Sequence, residues 1–152
     1  FERELGDERL EGMFDTRMLG QAFGNLIKNA VEAIEGLPSD EARAQPKILV
    51  RASLDPERDR FTVDVIDNGR GLPVENRHSI LEPYMTMREK GTGLGLAIVK
   101  KIIEDHGGQI ELHDAPAEFD QGKGAMIRVH LPRREQAAVA QTASDKESVY
   151  GI

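Results

Sequence analysis

The chain has 152 residues, a formal net charge of -7, 39% hydrophobic residues and no Cys or Trp. That length fits one domain with its own core. The lack of Cys excludes a disulfide framework or thiolate metal site and suits a reducing compartment, and the acidic balance argues against a broad electrostatic hold on nucleic acid. No apolar run is long enough to cross a bilayer and no signal peptide is legible, so the segment itself is expected to be soluble. Because the chain opens on Phe1 rather than Met, a membrane-attached parent stays open.

In chain order, Leu10 to Phe14 reads as a short strand, and Asp15 or Thr16 offers a cap for the helix that follows. Leu19, Phe23, Leu26, Ala30 and Ile34 recur at helical spacing until Gly36 and Pro38 end the pattern. After a polar connection from Ser39 to Pro46, Ile48, Val50, Ala52 and Leu54 alternate with Leu49, Arg51 and Ser53. Across a turn at Asp55–Asp59, Phe61, Val63, Val65 and Asp67 alternate in the same way, which predicts a hairpin. Residues 68–93 are rich in Gly, Pro and charge, and so long an irregular stretch in a compact domain predicts a functional lid at about 70–93. A second helix runs from Leu94 to His106, closed by Gly107 and Gly108. Strands follow at Gln109–His113 and Ala125–Leu131, and Pro132 ends the last one. Residues 133–152 show no apolar periodicity and read as a flexible tail after a 1–132 domain. Two helices with about five largely hairpin-connected strands predict an α+β sandwich with one mixed sheet and one helix layer.

Several residues in this frame carry chemistry. Strand alternation puts Asp67 on the core-facing side with Phe61, Val63 and Val65. A carboxylate there needs a partner, and an adenine amine is a suitable donor where guanine offers a carbonyl. A turn carboxylate before Asn68 and Gly69, a common hairpin dipeptide, would look the same in isolation. Gly69 and Gly71 let the backbone approach a flat base. Asn25 and Asn29 share a helix face, roughly opposite the Phe23–Ala30 stripe. Amide oxygens can ligate Mg2+ alongside phosphate oxygens, or the pair can simply be solvated. Glu32 on the same face reads as a surface acid. Gly91, Thr92, Gly93, Leu94 and Gly95 lead into the second helix, where backbone N–H groups and the helix N-terminus suit phosphate. Arg88 and Lys90 are local cations beside that loop. Leu81, Pro83, Tyr84, Met85 and Met87 would clamp a lid or anchor a static loop. His78, His106, His113 and His130 show no metal spacing and read as structural or surface residues.

Asn25 to Ala30 resembles the N box of sensor histidine kinases, and Asp67 to Gly71 their first glycine box. Pro83 and Tyr84 resemble the F box, and Gly91 to Ala97 the second glycine box. The run Glu82 to Thr86 followed by Gly91 to Gly95 is especially similar to nitrogen-regulation-type kinases. The resemblance covers about residues 10–132. It implies a Bergerat ATP-binding sandwich, a fold shared with gyrase, heat-shock chaperones and MutL mismatch-repair proteins. It implies that Asn25 and Asn29 hold Mg2+ and phosphates, that Asp67 takes the adenine amine, and that Gly91 to Gly95 take the triphosphate under the lid. Lys28, Gly69, Gly71, Leu72, Tyr84, Thr86 and Leu96 join this nucleotide site, with Arg88 and Lys90 near the transferred group. Where ATPase relatives carry a water-activating Glu, this chain has Asn25, which implies transfer to an acceptor rather than hydrolysis.

The resemblance also implies partners: a His-bearing dimerisation domain of the same parent and a response regulator, with no nucleic acid. The domain alone would be monomeric and cytoplasmic, in a homodimeric parent that could be anchored in the inner membrane. No His here has the acceptor's setting, so the chain resembles the catalytic and ATP-binding domain only. Two other classes stay open on the residues: a nucleotide-dependent interaction module without transfer, and a Ser kinase of the anti-sigma type.

Overall fold

The computed structural model describes residues 1–6, 12–85 and 93–133. Its elements run β1 (Glu2–Leu5), α1 (Thr16–Glu35), β2 (Ile48–Asp55), β3 (Arg60–Asp67), a 3-10 turn at Arg77–Leu81, α2 (Gly95–Asp105), β4 (Gln109–Asp114), a second 3-10 turn at Asp120–Gly122 and β5 (Ala125–Pro132). The strands form one sheet in the order β1-β2-β3-β5-β4. Among the described residues only the β1–β2 pair is parallel. This is the α+β sandwich with a mixed, mostly antiparallel sheet that the sequence predicts.

The hairpin is in the predicted place, with Ile48 opposite Asp67 and Asp55 opposite Arg60. Asp15, not Thr16, caps α1: its Oδ1 accepts from the N–H groups of Arg17 and Met18 at 3.0 Å each, the side-chain capping that starts a helix where its first N–H groups lack partners. The far end of α2 is tied to this cap. The Asp15 N–H donates to Nε2 of His106, whose Nδ1 donates to the Ile102 carbonyl.

The expected first strand at 10–14 is not seen at its described residues, and its first two positions lie outside the described set. Residues 12–14 are irregular, residues 7–11 lie outside the described set, and the fifth strand is Glu2–Leu5. Phe14 serves the core instead, edge-on to Phe61 with ring centroids 5.7 Å apart. The true β1 is exposed at all four positions, so it lacks the half-buried alternation that betrays a strand.

The core lies between the sheet and the two helices. Ala22, Leu26 and Ala30 of α1 and Val99, Ile102 and Ile103 of α2 pack against Phe61, Val65, Leu112, Ile127, Val129 and Leu131. Each large apolar side chain so buried contributes about 1.5–3 kcal/mol. The α1 stripe is therefore rotated from the predicted one: Leu19 and Phe23 only flank the core, and Ile34 is half-buried.

The opposite sheet face has a smaller apolar cluster of Leu49, Ile66, Ala115 and Met126, with Phe119 against it. Beside it the register aligns Arg51, Asp64, Arg128 and Glu111 across four strands. Asp64 accepts from Arg51 Nη2 at 2.9 Å and from Arg128 Nε at 2.7 Å. Burial alone would raise its pKa, but the two guanidinium groups outweigh burial and hold it below the ordinary value.

Candidate functional site

The cleft opens at the end of the sheet where β3 runs out, between α1, the 68–85 segment and the start of α2. Asp67 is the last residue of β3 and faces the helix side, buried at 6% exposure. Its Oδ1 accepts from the Gly69 N–H at 2.8 Å. Burial pushes its pKa up to about 6, against the opposing pull of the Gly69 and Ala125 N–H groups and the Arg70 cation. A carboxylate has acceptor sites beyond the two that these N–H groups occupy, so it can take a further donor.

Glycines let the backbone close around it. A Cβ on Gly69 would lie 2.6 Å from the carbonyl carbon of Ala33, so only glycine lets this loop pack on α1. Gly71 has φ +77°, in the left-handed region. On the far side, the Tyr84 N–H donates to the Gly93 carbonyl at 2.9 Å, joining the two described ends of the predicted lid. Gly95 opens α2 directly over Asn29: a Cβ there would sit 3.7 Å from Asn29 Oδ1. Leu94 precedes that helix and has no side-chain oxygen to cap it. The first-turn N–H groups lie outside the helix's own ladder and suit oxyanions.

The cleft has a cavity volume of about 120 Å³. Leu26, Ala30 and Ala33 of α1 form one wall, and Leu72, Ile80 and Met85 of the 68–85 segment form another. Val65, Ala125 and Ile127 make the sheet floor around Asp67. The arrangement is an apolar slot with one anionic acceptor at its depth and a helix start with an asparagine amide near its mouth. It fits a flat heterocycle carrying an exocyclic amine, with an anionic tail reaching Gly95 and Asn29.

Of the residues predicted from sequence, Asn29, Asp67, Gly71, Leu72, Gly93, Gly95 and Leu96 line this cleft together. Gly69 acts from behind through its N–H. Asn25 is half-buried one turn earlier and does not line the cleft. Asn29 is not opposite the core stripe but at its border, on the same wall as Leu26 and Ala30. Lys28 has 72% of its side chain exposed and lies 4.0 Å from Glu32. Tyr84 is 77% exposed and reaches the site by backbone only. Thr86, Met87, Arg88, Lys90, Gly91 and Thr92 lie outside the described residues. The sequence reading missed Arg70, whose guanidinium faces Asp67 electrostatically, and Ala125 and Ile127. The last two sit opposite Asp67 and Val65 only because of the β3–β5 register, which periodicity within one strand cannot reveal.

Known proteins share the sequence and fold of this chain. A family model described as "Histidine kinase-, DNA gyrase B-, and HSP90-like ATPase" matches residues 14–135. The chain is 53% identical over 133 residues to nitrogen regulation protein NtrY of Azorhizobium caulinodans, covering 88% of this chain and 16% of that protein. It is 39% identical over 121 residues to the sensory histidine kinase/phosphatase NtrB of Rhodobacter capsulatus, covering 78% of this chain and 32% of that protein. The solved catalytic domain of histidine kinase ThkA, in a nucleotide-free form, superposes with a TM-score of 0.70 at 30% identity, covering 87% of this chain and 78% of that one. The chain thus spans a minor part of the length of these two curated relatives.

Proposed function

The chain belongs to the family of histidine kinase-, DNA gyrase B- and HSP90-like ATPases, and on that premise we propose that it presents ATP with Mg2+ for phosphoryl transfer to a His on a separate dimerisation domain, and from there to a response regulator. It is an ATP-binding catalytic domain of the sensor-histidine-kinase kind and of the nitrogen-regulation type.

The observation that carries the reading is Asp67, a buried carboxyl on the floor of an apolar slot with its pKa raised to about 6. An adenine amine can donate to its remaining acceptor sites beside the Gly69 and Ala125 N–H groups, and a guanine carbonyl cannot. Gly69 and Gly71 let the backbone meet the base. Asn29 of α1, beside the first residue of α2, would offer an amide oxygen to Mg2+, a hard-oxygen donor of the kind that cation takes beside phosphate oxygens. Among the described residues no group of three His, Asp or Glu side chains is placed to hold a metal, so this fit needs phosphate oxygens in the ligand set. Mg2+, when bound, would neutralise charge on the phosphates. Asn25, Lys28, Thr86, Arg88, Lys90, Gly91, Thr92 and Leu94 are proposed to complete the phosphate end.

Asp67 is the only acid lining the cleft among the described residues, and it serves the base end. Among the described residues no second carboxylate lines the cleft, which supports transfer over hydrolysis. Catalysis would rest on positioning and charge neutralisation. Leu72, Ile80 and Met85 line the cleft and would close it as a lid when nucleotide binds. The parent is proposed to be a homodimer with this domain in the cytoplasm and an anchor in the inner membrane. No helix among the described residues is long and apolar enough to cross a membrane.

The test mixes the chain with γ-labelled ATP, Mg2+ and a helical hairpin bearing a His followed by an acid. Acid-labile label on that His is expected. Nucleotide-dependent binding of the hairpin without label would replace the kinase reading with that of an interaction module, and acid-stable label would point to a Ser acceptor.

A further inference from the structure

We propose that Asn68, tied to Arg43 and Asp120, is a specificity-positioning residue that aims the Asp67 carboxylate at the base without touching the ligand. The inference rests on the reading of Asp67 as the base-recognising group.

Asn68 lies between Asp67 and Gly69, whose N–H fixes Asp67 Oδ1, yet its side chain does not line the cleft. It is fully buried at 0% exposure. Its Oδ1 accepts from the Lys47 N–H at 2.8 Å. Its Nδ2 donates to the Gln45 carbonyl at 2.9 Å and to Asp120 Oδ2 at 3.0 Å. Its backbone N–H donates to the Lys47 carbonyl at 3.2 Å. Its carbonyl accepts from Arg43 Nε at 2.7 Å, and the Gly69 carbonyl accepts from Arg43 Nη2 at 3.3 Å. One residue thus knots three connections: the one before β2, the glycine segment after β3, and the one between β4 and β5.

The third connection is shaped for this contact. Asp120 and Gln121 have φ of 43° and 61°, unusual for residues with a Cβ. Phe119 anchors the turn on the second apolar cluster. Gly124, at φ +103°, presses directly on the Asp67 carbonyl, where a Cβ has no room. Backbone strain held by surrounding contacts is a mark of pre-organisation. An amine–carboxylate hydrogen bond weakens steeply with misalignment, so a brace on both flanks of Asp67 translates into discrimination between bases. Asn is required at position 68 because one end meets a donor and the other meets two acceptors, a pattern neither Asp nor an apolar residue satisfies.

The experiment titrates wild type, Asp67→Asn, Asp120→Gly, Asn68→Asp and the swap Asn68→Asp with Asp120→Asn with ATP–Mg2+ and GTP–Mg2+ by calorimetry, and follows thermal unfolding of each. Glycine suits the positive φ at 120, so Asp120→Gly is expected to fold and carries the test if Asn68→Asp does not. The expected result is a fall in the ATP-over-GTP preference of several-fold for Asp120→Gly and about tenfold or more for Asn68→Asp, with GTP affinity unmoved. The swap should recover part of the preference, because the new amide at 120 can donate to the new carboxylate at 68. A purely structural role would lower the unfolding temperature and leave the ratio at the wild-type value; that outcome, with Asp67→Asn abolishing the preference, overturns the positioning role alone. If Asp67→Asn itself leaves the preference intact, the base-recognition reading and this inference fall together.

Discussion

Replacing Asp67 by Asn should stabilise the empty domain and weaken ATP binding, two effects of opposite sign from one atom change. Its carboxyl titrates at about 6 instead of the ordinary 3.8 because it is buried. A displacement of that size corresponds to about 3 kcal/mol, the cost of keeping the group ionised in the fold. The native state binds this proton more tightly than the unfolded chain. The penalty is thus fully present above pH 6, shrinks as pH falls from about 6 to about 3.8, and is gone below that window. Asp67→Asn removes it while its amide oxygen can still accept from the Gly69 N–H. Urea unfolding from pH 4 to 8 should show the variant gaining up to about 3 kcal/mol on wild type at pH 8 and less at pH 4. ATP affinity should meanwhile fall about tenfold to 150-fold, the worth of a hydrogen bond to a charged group at about 1.5–3 kcal/mol. A variant no more stable than wild type at pH 8, or one that binds ATP equally well, would refute the assignment of Asp67 as a strained acceptor.

Further outcomes follow from other parts of the structure. Asp64→Ala leaves Arg51 and Arg128 without the carboxylate they share; stability in urea should fall by about 2–4 kcal/mol with ATP affinity retained, and a loss below about 1 kcal/mol would deny the ladder its role. The pKa of Asp64 is lowered in the fold, so its contribution is present above the ordinary value of 3.8 and is lost as pH drops through the folded one; wild type should lose more stability in that acid range than Asp64→Asn does. Gly95→Ala places a methyl at ordinary contact distance from the Asn29 amide; stability should change by less than about 1 kcal/mol while ATP–Mg2+ binding weakens, and unchanged binding would move the phosphate end elsewhere. Gly124→Ala forces a Cβ onto the Asp67 carbonyl at φ +103°, and thermal unfolding should register a loss of about 2–4 kcal/mol.

Much of this was legible in the residues, for identifiable reasons. The hairpin and both helices announce themselves because burial of one face writes a period into the sequence, and β5 because it is buried at nearly every position and reads as an apolar run. Asp67 could be placed on the core side because it continues the alternation of Phe61, Val63 and Val65. Where burial is absent, so is the signal: β1 is an exposed edge strand of Glu2, Arg3, Glu4 and Leu5 held by backbone pairing to β2, and the apolar run near Phe14 drew attention in its place. Contacts across the sheet were equally hidden. Ala125 and Ile127 join the cleft floor through register, and Asn68 meets Asp120 across 52 positions of sequence. Asn25 and Asn29 share a helix, but only Asn29 is among the described cleft-lining residues, because that wall is centred on Leu26, Ala30 and Ala33.

Calorimetric titration of the purified chain with ATP in the presence of Mg2+ tests the central claim most directly. Saturable binding of one ATP per chain, weaker when GTP replaces it, is the predicted result; no detectable uptake of ATP would contradict the account.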